Sequence, residues 1–145
     1  MKIVIGSDHA GYKLKEKVKD FVKGMGYDVD DVGTYSEESV DYPVYAKKVG
    51  KEVSKDKSKV GILICGTGLG MCMAANKIKG IRAALAYNES SAQKAKQHND
   101  ANVLCLGARE FDESTVENIT KKFLETPFDN EERHERRIKE IEKIK

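Results

Sequence analysis

GILICGTGLGM, residues 61–71, is an apolar run that stops at a cysteine and gives way to glycine at every second position. An uninterrupted apolar run this short has no polar face, so it reads as a strand buried on both sides, Val60–Cys65. The glycines at 66, 68 and 70 then make the chain permissive where it must turn. A helix should start in that loop and continue to about Ile78, with Met71, Ala74, Ala75 and Ile78 inward. Strand, glycine loop and helix together form the unit from which parallel sheets are built.

Working outward in both directions, the same alternation recurs. Lys2–Gly6 reads as the first strand. Leu14, Val18, Phe21, Val22 and Met25 follow at helical spacing, closed by Gly24 and Gly26. A strand is expected around Tyr27–Val32. Pro43 suits the first turn of a helix that turns Ala46, Val49, Gly50 and Val53 inward. Arg82–Tyr87 is a fourth strand, and Asn88 or Ser90 can cap a helix running toward His98. Val103–Gly107 is a fifth strand, followed by a helix carrying Val116, Ile119, Phe123 and Leu124. After Thr126-Pro127 a last, highly charged helix begins near Arg133, over about residues 133–145, with Ile138 and Ile141 as its apolar contacts. No internal repeat or linker interrupts this order. The expectation is an α/β fold: one Rossmann-like domain over residues 1–145, a three-layer sandwich of a five-stranded parallel sheet with helices on both faces. Ligands of such sheets sit beyond the carboxyl ends of the strands, where Asp8-His9, Cys65 and Gly107-Ala108-Arg109 all fall.

Composition narrows the function classes. The 145 residues are 39% hydrophobic and 34% charged, with a formal net charge of +2. Opposite charges are mixed along the chain, which argues against a nucleic-acid binder. The apolar run after Met1-Lys2 is too short for a signal peptide or a membrane span. The three cysteines are odd in number and show no CxxC spacing, so a reduced, cytoplasmic protein is expected. The three histidines lie far apart and show no metal-ligand spacing, although folding can still bring such groups together.

The glycine loop has a chemical reading beside the plain one of a tight turn. Amides at a helix start lack partners and favour negative charge, so the loop can cradle a phosphate or a developing oxyanion. Two familiar loops do not fit. A dinucleotide fingerprint follows the first strand and ends in glycine or alanine, whereas this loop follows the third and ends in Met71. A cysteine-phosphatase loop would carry arginine at position 71. Cys65 itself is either a core filler or a thiol whose ionised form, favoured by the helix start and Thr67, acts as a base. Cys72 and Cys105 read as core. His9 and Asp8 read as a loop pair in which Asp8 or Ser7 caps the next helix. His98 closes a polar helix, where either a capping or a catalytic role is open. Asn99 and Asn102 read first as turn residues. Arg133 and Arg137, at i and i+4, share a helical face and can grip a phosphate. Taken alone, their interspersed glutamates favour a solvated helix.

Together, IGSDHAGYKLK, DYPVYA, GILICGTGLGMCMAANK, IRAAL, HNDANVLCLGAR and RHERRI span almost the whole chain, and in this order they resemble the type B ribose-5-phosphate isomerases. That family also includes galactose-6-phosphate isomerase subunits. The resemblance implies reversible conversion of ribose 5-phosphate to ribulose 5-phosphate with no metal or organic cofactor. It implies Cys65 as the base, with Thr67 nearby, and His98 opening the sugar ring with Asp8. The amides of Gly66, Thr67, Gly68, Leu69 and Gly70 would hold the enediolate, and Asn99 the sugar hydroxyls. His9, Arg109, Arg133 and Arg137 would bind substrate, with His9 and the two C-terminal arginines on its phosphate. Tyr42 would line the sugar pocket or simply pack. Some members use a glutamate just past the loop as base; Met71 stands there in this chain, which adds weight to Cys65. A homodimer with shared active sites, or a tetramer, is implied, with His98, Asn99 and Arg109 reaching a neighbour's Cys65. A six-carbon sugar phosphate is the alternative substrate. Galactose-6-phosphate isomerases usually need two different subunits, whereas this one chain carries both Cys65 and His98.

Overall fold

A computed structural model describes all residues from Met1 to Lys145. Five strands form one parallel sheet in the order β2-β1-β3-β5-β4. The strands are β1 (Lys2–Ser7), β2 (Asp28–Asp31), β3 (Lys59–Cys65), β4 (Ala83–Leu85) and β5 (Val103–Gly107). The helices are α1 (Tyr12–Gly24), α2 (Tyr42–Lys55), α3 (Leu69–Ala75), α4 (Glu89–Gln97), α5 (Glu113–Glu125) and α6 (Glu132–Lys143). No helix is long and apolar enough to cross a membrane.

The central strands are apolar on both faces because both faces are covered. On one side Ile3, Ile5, Ile62, Ile64, Leu104 and Leu106 pack with Val18 and Val22 of α1, Ala92 and Ala95 of α4, and Val116, Ile119 and Phe123 of α5. On the other, Val4, Leu63, Cys65, Val103 and Cys105 pack with Ala46, Val49 and Val53 of α2 and Met71 and Ala75 of α3. Period-two alternation thus sends neighbouring residues of one strand into two different cores. Because α1 and α3 leave adjacent strands toward opposite faces, the topological switch lies between β1 and β3. Ligands of open parallel sheets bind at that crevice.

The ends of the elements follow local chemistry. Asn88 and Ser91 form a reciprocal cap at the start of α4, and the Asp112 carboxylate accepts from the Thr115 amide at 2.8 Å at the start of α5. Both satisfy amides that a helix start leaves without partners.

Three expectations are corrected. α3 ends at Ala75 rather than Ile78, because the Asn76 side chain turns to β4 and bonds the backbone of Ala83. β4 is shorter than Arg82–Tyr87, since Arg82 is held by Asn102 and by backbone carbonyls outside the ladder. On α6 the buried residue is His134, whereas Ile141 is 46% exposed and Ile138 only partly covered. That helix is moored by a polar ring and by a Glu142–Arg82 ion pair, not by an apolar stripe.

Candidate active site

Parallel strands bring their carboxyl ends to one edge, so Asp8 after β1, Cys65 at the end of β3 and Arg109 after β5 become neighbours. The Gly68 amide donates to Cys65 Sγ at 3.1 Å. Gly68 has φ +82°, a left-handed conformation that aims this amide back at the sulfur. Thr67 is exposed beside it, its Oγ1 accepting from the Leu69 amide at 3.2 Å. Cys65 is 5% exposed.

Arg109 folds back over the loop. Its amide donates to the Gly66 carbonyl at 2.9 Å. Its guanidinium lies so close that a Cβ on Gly66 would come within 2.7 Å of Nη1. Within the chain, Arg109 thus stands over its own loop. Tyr42 closes the other flank, its ring against Gly70, where a Cβ would meet it at 2.5 Å. Asp8 is 7% exposed, and its Oδ1 accepts from the Gly11 amide at 3.0 Å. It therefore does hold the turn into α1. His9 Nδ1 accepts from the Val40 amide at 3.1 Å, which leaves Nε2 to carry the proton of the neutral ring and to donate outward.

The remaining sequence candidates lie at the opposite edge. His98 is the residue that closes α4, its amide donating to the Lys94 carbonyl at 2.9 Å. α4 runs antiparallel to the strands, so its end sits beside the amino-terminal end of β5. The Asn99 and Asp100 carbonyls accept from Arg82 Nε at 3.1 and 3.2 Å, which ties this turn to the start of β4. Arg133 and Arg137 on α6 are exposed, and Arg133 pairs with Glu131 at 3.1 Å. One chain thus carries a sulfur, a donor loop, a cation and a neutral imidazole at one edge. A second imidazole, an exposed amide and two guanidinium groups stand at the other, and no single chain assembles both sets.

Sequence reading passed over a cluster at this second edge. The His134 ring stacks on His98 with centroids 4.4 Å apart, and its Nδ1 lies 2.9 and 3.0 Å from the two Asp129 carboxylate oxygens. Asp129 and His134 are five residues apart across a turn, a spacing with no helical or metal signature. His98, Asp129 and His134 also place one ligand atom each within 4.8 Å of one another. Both ring nitrogens of His134 are nevertheless engaged, Nδ1 by Asp129 at 2.9 Å and Nε2 by Arg133 Nε at 3.4 Å. This arrangement opposes a resident cation. On the α2 and α3 face, hydrogen bonding to Cys105 brings the Cys72 thiol down to about 7 against the effect of burial. The same contact, together with burial, raises Cys105.

The model of the Ribose/Galactose Isomerase family matches residues 3–141. A ribose-5-phosphate isomerase B of Escherichia coli is 41% identical over 143 residues, covering 99% of this chain and 95% of that protein. The crystal structure of a ribose 5-phosphate isomerase from Thermotoga maritima superposes with a TM-score of 0.95 at 52% identity, over 99% of this chain and 98% of that one. The ribose-5-phosphate isomerase B of Mycoplasma genitalium with bound ribulose-5-phosphate gives 0.93 at 44% identity, over 97% and 93%.

Proposed function

The chain belongs to the Ribose/Galactose Isomerase family, and on that premise we propose that this isomerase interconverts D-ribose 5-phosphate and D-ribulose 5-phosphate through an enediolate. The observation that carries the reading is the Cys65 sulfur under the Gly68 amide, with the Arg109 guanidinium over the same loop. Aldose–ketose isomerisation needs a base at the carbon acid, donors on the growing oxyanion and a grip on the remote phosphate. Cys65 takes the proton from C2 of the open-chain aldose and returns it to C1, while the O2 hydroxyl proton passes to O1, so that the aldehyde becomes an alcohol and C2 a ketone. The amides from Gly66 to Gly70, with Thr67, hold the negative oxygen; one such donor is worth about 2.7–4 kcal/mol in studied enzymes.

The other half of the site comes from a second copy of the chain. His98, with Asp8 opposite, moves the protons that open the furanose, and Asn99 holds sugar hydroxyls. Arg109 binds substrate, and His9, Arg133 and Arg137 bind the phosphate, whose remote anchoring orients the reacting carbons. Residues 1–145 then act as one domain within a homodimer or a tetramer built from it, with α6 as the arm that carries two arginines. The resemblance implies no metal or organic cofactor, and the reading calls for none.

Purified protein should interconvert the two pentose phosphates in the presence of EDTA, and Cys65→Ala should remove that activity while leaving the fold intact. Near-normal turnover by the alanine variant would refute the thiol's role. The family name covers galactose as well as ribose, so a six-carbon sugar phosphate is the second reading. Comparing kcat/KM for ribose 5-phosphate, allose 6-phosphate and galactose 6-phosphate decides between them.

A further inference from the structure

We infer that Asp129 and His134 are positioning residues, with the His134 ring as the hub that holds the His98 imidazole on one side and the Arg133 guanidinium on the other. The inference rests on the isomerase reading above. α6 is a strongly polar helix, yet His134 is 6% exposed, while Arg133 and Arg137 on the same helix are exposed. A polar ring buried on an otherwise solvated helix must be satisfied, and two of its contacts, His98 and Arg133, are groups with a proposed role.

Nδ1–H donates to the Asp129 carboxylate, whose oxygens lie at 2.9 and 3.0 Å. Nε2 accepts from Arg133 Nε at 3.4 Å. The ring face lies on His98 at 4.4 Å, tilted by 32°. These two hydrogen bonds select one neutral tautomer, because only that form donates at Nδ1 and accepts at Nε2. Asp129 is in turn fixed: its Oδ1 accepts from the Glu131 amide at 3.0 Å, and its own amide donates to the Gln97 carbonyl at 3.2 Å. Burial alone would raise the Asp129 carboxyl, but the hydrogen bonds from His134 and Glu131 and the nearby His98 hold it below the ordinary range. It therefore stays an acceptor. His98 has no hydrogen bond to its ring within the chain, so stacking on His134 is what orients it.

The two arms separate kinetically. Asp129→Asn and His134→Phe both keep a flat shape, but phenylalanine retains the stack and loses the bond to Arg133. His134→Phe should therefore raise KM for ribose 5-phosphate with little change in kcat. His134→Ala, which loses both arms, should lower kcat/KM by roughly ten- to a hundredfold, as small misplacements do. His134→Gln, with a carbonyl and an amide in place of the two nitrogens, should recover part of the KM loss. NMR of the ring-labelled histidines supplies a readout independent of turnover: the His98 resonances should shift and broaden in His134→Ala and hold in His134→Phe. Asp129→Asn replaces the ionised acceptor of Nδ1–H with a weaker neutral one, so it should raise KM about three- to tenfold and reports even where the alanine variant folds poorly.

Folded His134→Ala and Asp129→Asn proteins within about twofold of wild type in KM and kcat, with His98 resonances unmoved, would overturn the inference. If the wild-type protein isomerises no pentose phosphate, the functional reading falls, and the His98 resonances still decide whether His134 orients that ring.

Discussion

The two edges of the sheet are built by different means. At the carboxyl edge, backbone holds the functional groups. The Gly68 amide bonds Cys65 Sγ, Ala108 donates to the Cys65 carbonyl at 2.8 Å, and Arg109 donates to that of Gly66 at 2.9 Å. At the amino edge, side chains hold side chains: Arg82 with Glu142, His134 with Asp129, and His98 on His134. The first arrangement is fixed once the strands pair. The second exists only after α6 docks, and it faces away from the first. On the proposed function each edge carries half of a reaction centre, which requires the pairing of two chains to join what one chain keeps apart.

The largest effect expected tests that division directly. On the proposed mechanism Cys65→Ala and His98→Ala each remove a proton-transfer group, and each should lose about a hundred- to ten-thousandfold in kcat/KM. Mixing the two inactive proteins and allowing subunits to exchange should restore activity. Half of the dimers are then mixed, and in a twofold-symmetric pair each mixed dimer has one intact site, so roughly a quarter of wild-type activity returns. If the mixture stays inactive after exchange is verified by mass spectrometry, the two edges do not meet across an interface.

A second test weakens the carboxyl edge without touching its chemistry. Lys15 on α1 is 0% exposed, and its ammonium meets Asp31 Oδ2 at 2.6 Å, with Lys19 at 3.0 Å from the same oxygen. This pair fastens the edge strand β2 to α1. Asp31→Asn leaves a buried ammonium with only Glu16 at 3.3 Å, which should cost about 3 kcal/mol, the lower end for breaking a buried pair. The pH dependence has a definite sign. Burial works to raise the Asp31 carboxyl, but Lys15, the Gly33 amide and Lys19 together hold it below its ordinary value of 3.8. A folded pKa below the unfolded one gives stability that is complete above the unfolded value and lost as pH falls through the folded one. Urea titrations should show the gap between wild type and Asp31→Asn at full size near neutrality and closing on acidification below about 4.

The contrast between the edges is also a contrast in legibility. Val103–Gly107 can be read from sequence to the residue, and so can the carboxyl ends where Asp8, Cys65 and Arg109 gather, because apolar runs and glycines record strand pairing directly. β2 is weaker, since DVDD at residues 28–31 carries one apolar side chain and owes its strand to Ile3 and Ile5 beside it. The amino edge left no such trace. Periodicity puts Ile138 and Ile141 against the molecule, whereas the buried residue is His134. A polar helix moored by an imidazole and an ion pair has partners sixty residues away or across a turn, as Glu142 and Arg82 show. Spacing along α6 says nothing of them. Lys15 escapes for the same reason: a lysine among lysines in KLKEK is indistinguishable by pattern, and only β2 delivers the carboxylate that lets it be buried.

A third, smaller effect sharpens the claim that backbone builds the carboxyl edge. An alanine at position 68 would have to keep φ near +82°, and its Cβ would lie 2.5 Å from Leu85 Cδ1 and 3.0 Å from the Leu106 carbonyl carbon. Such strain costs on the order of 1–3 kcal/mol. Relief of that strain turns the amide away from Cys65, so Gly68→Ala should lower kcat in steady-state assays as well as the denaturation midpoint.

The smallest effect expected comes from α6 itself and separates its arginines by face. Arg136 pairs with Glu132 through contacts of 2.8 and 3.1 Å, with both side chains more than half exposed, at 52% and 76%. An exposed pair at i and i+4 contributes about 0.3–0.5 kcal/mol, because water screens the attraction and two long side chains lose freedom to make it. Arg137, one residue on, has turned 100° around the helix onto the face it shares with Arg133, and it makes no ion pair within the chain. An unpaired guanidinium is the one left to grip a dianion. Arg136→Ala should therefore shift the denaturation midpoint by no more than this small pair contribution and leave KM for ribose 5-phosphate unchanged. Arg137→Ala should raise KM roughly ten- to a hundredfold, the equivalent of about 1.5–3 kcal/mol for a hydrogen bond to a charged group. If both variants raised KM alike, the helix would be acting through its net charge rather than through one face. The amino edge would then attract the phosphate without holding it in place.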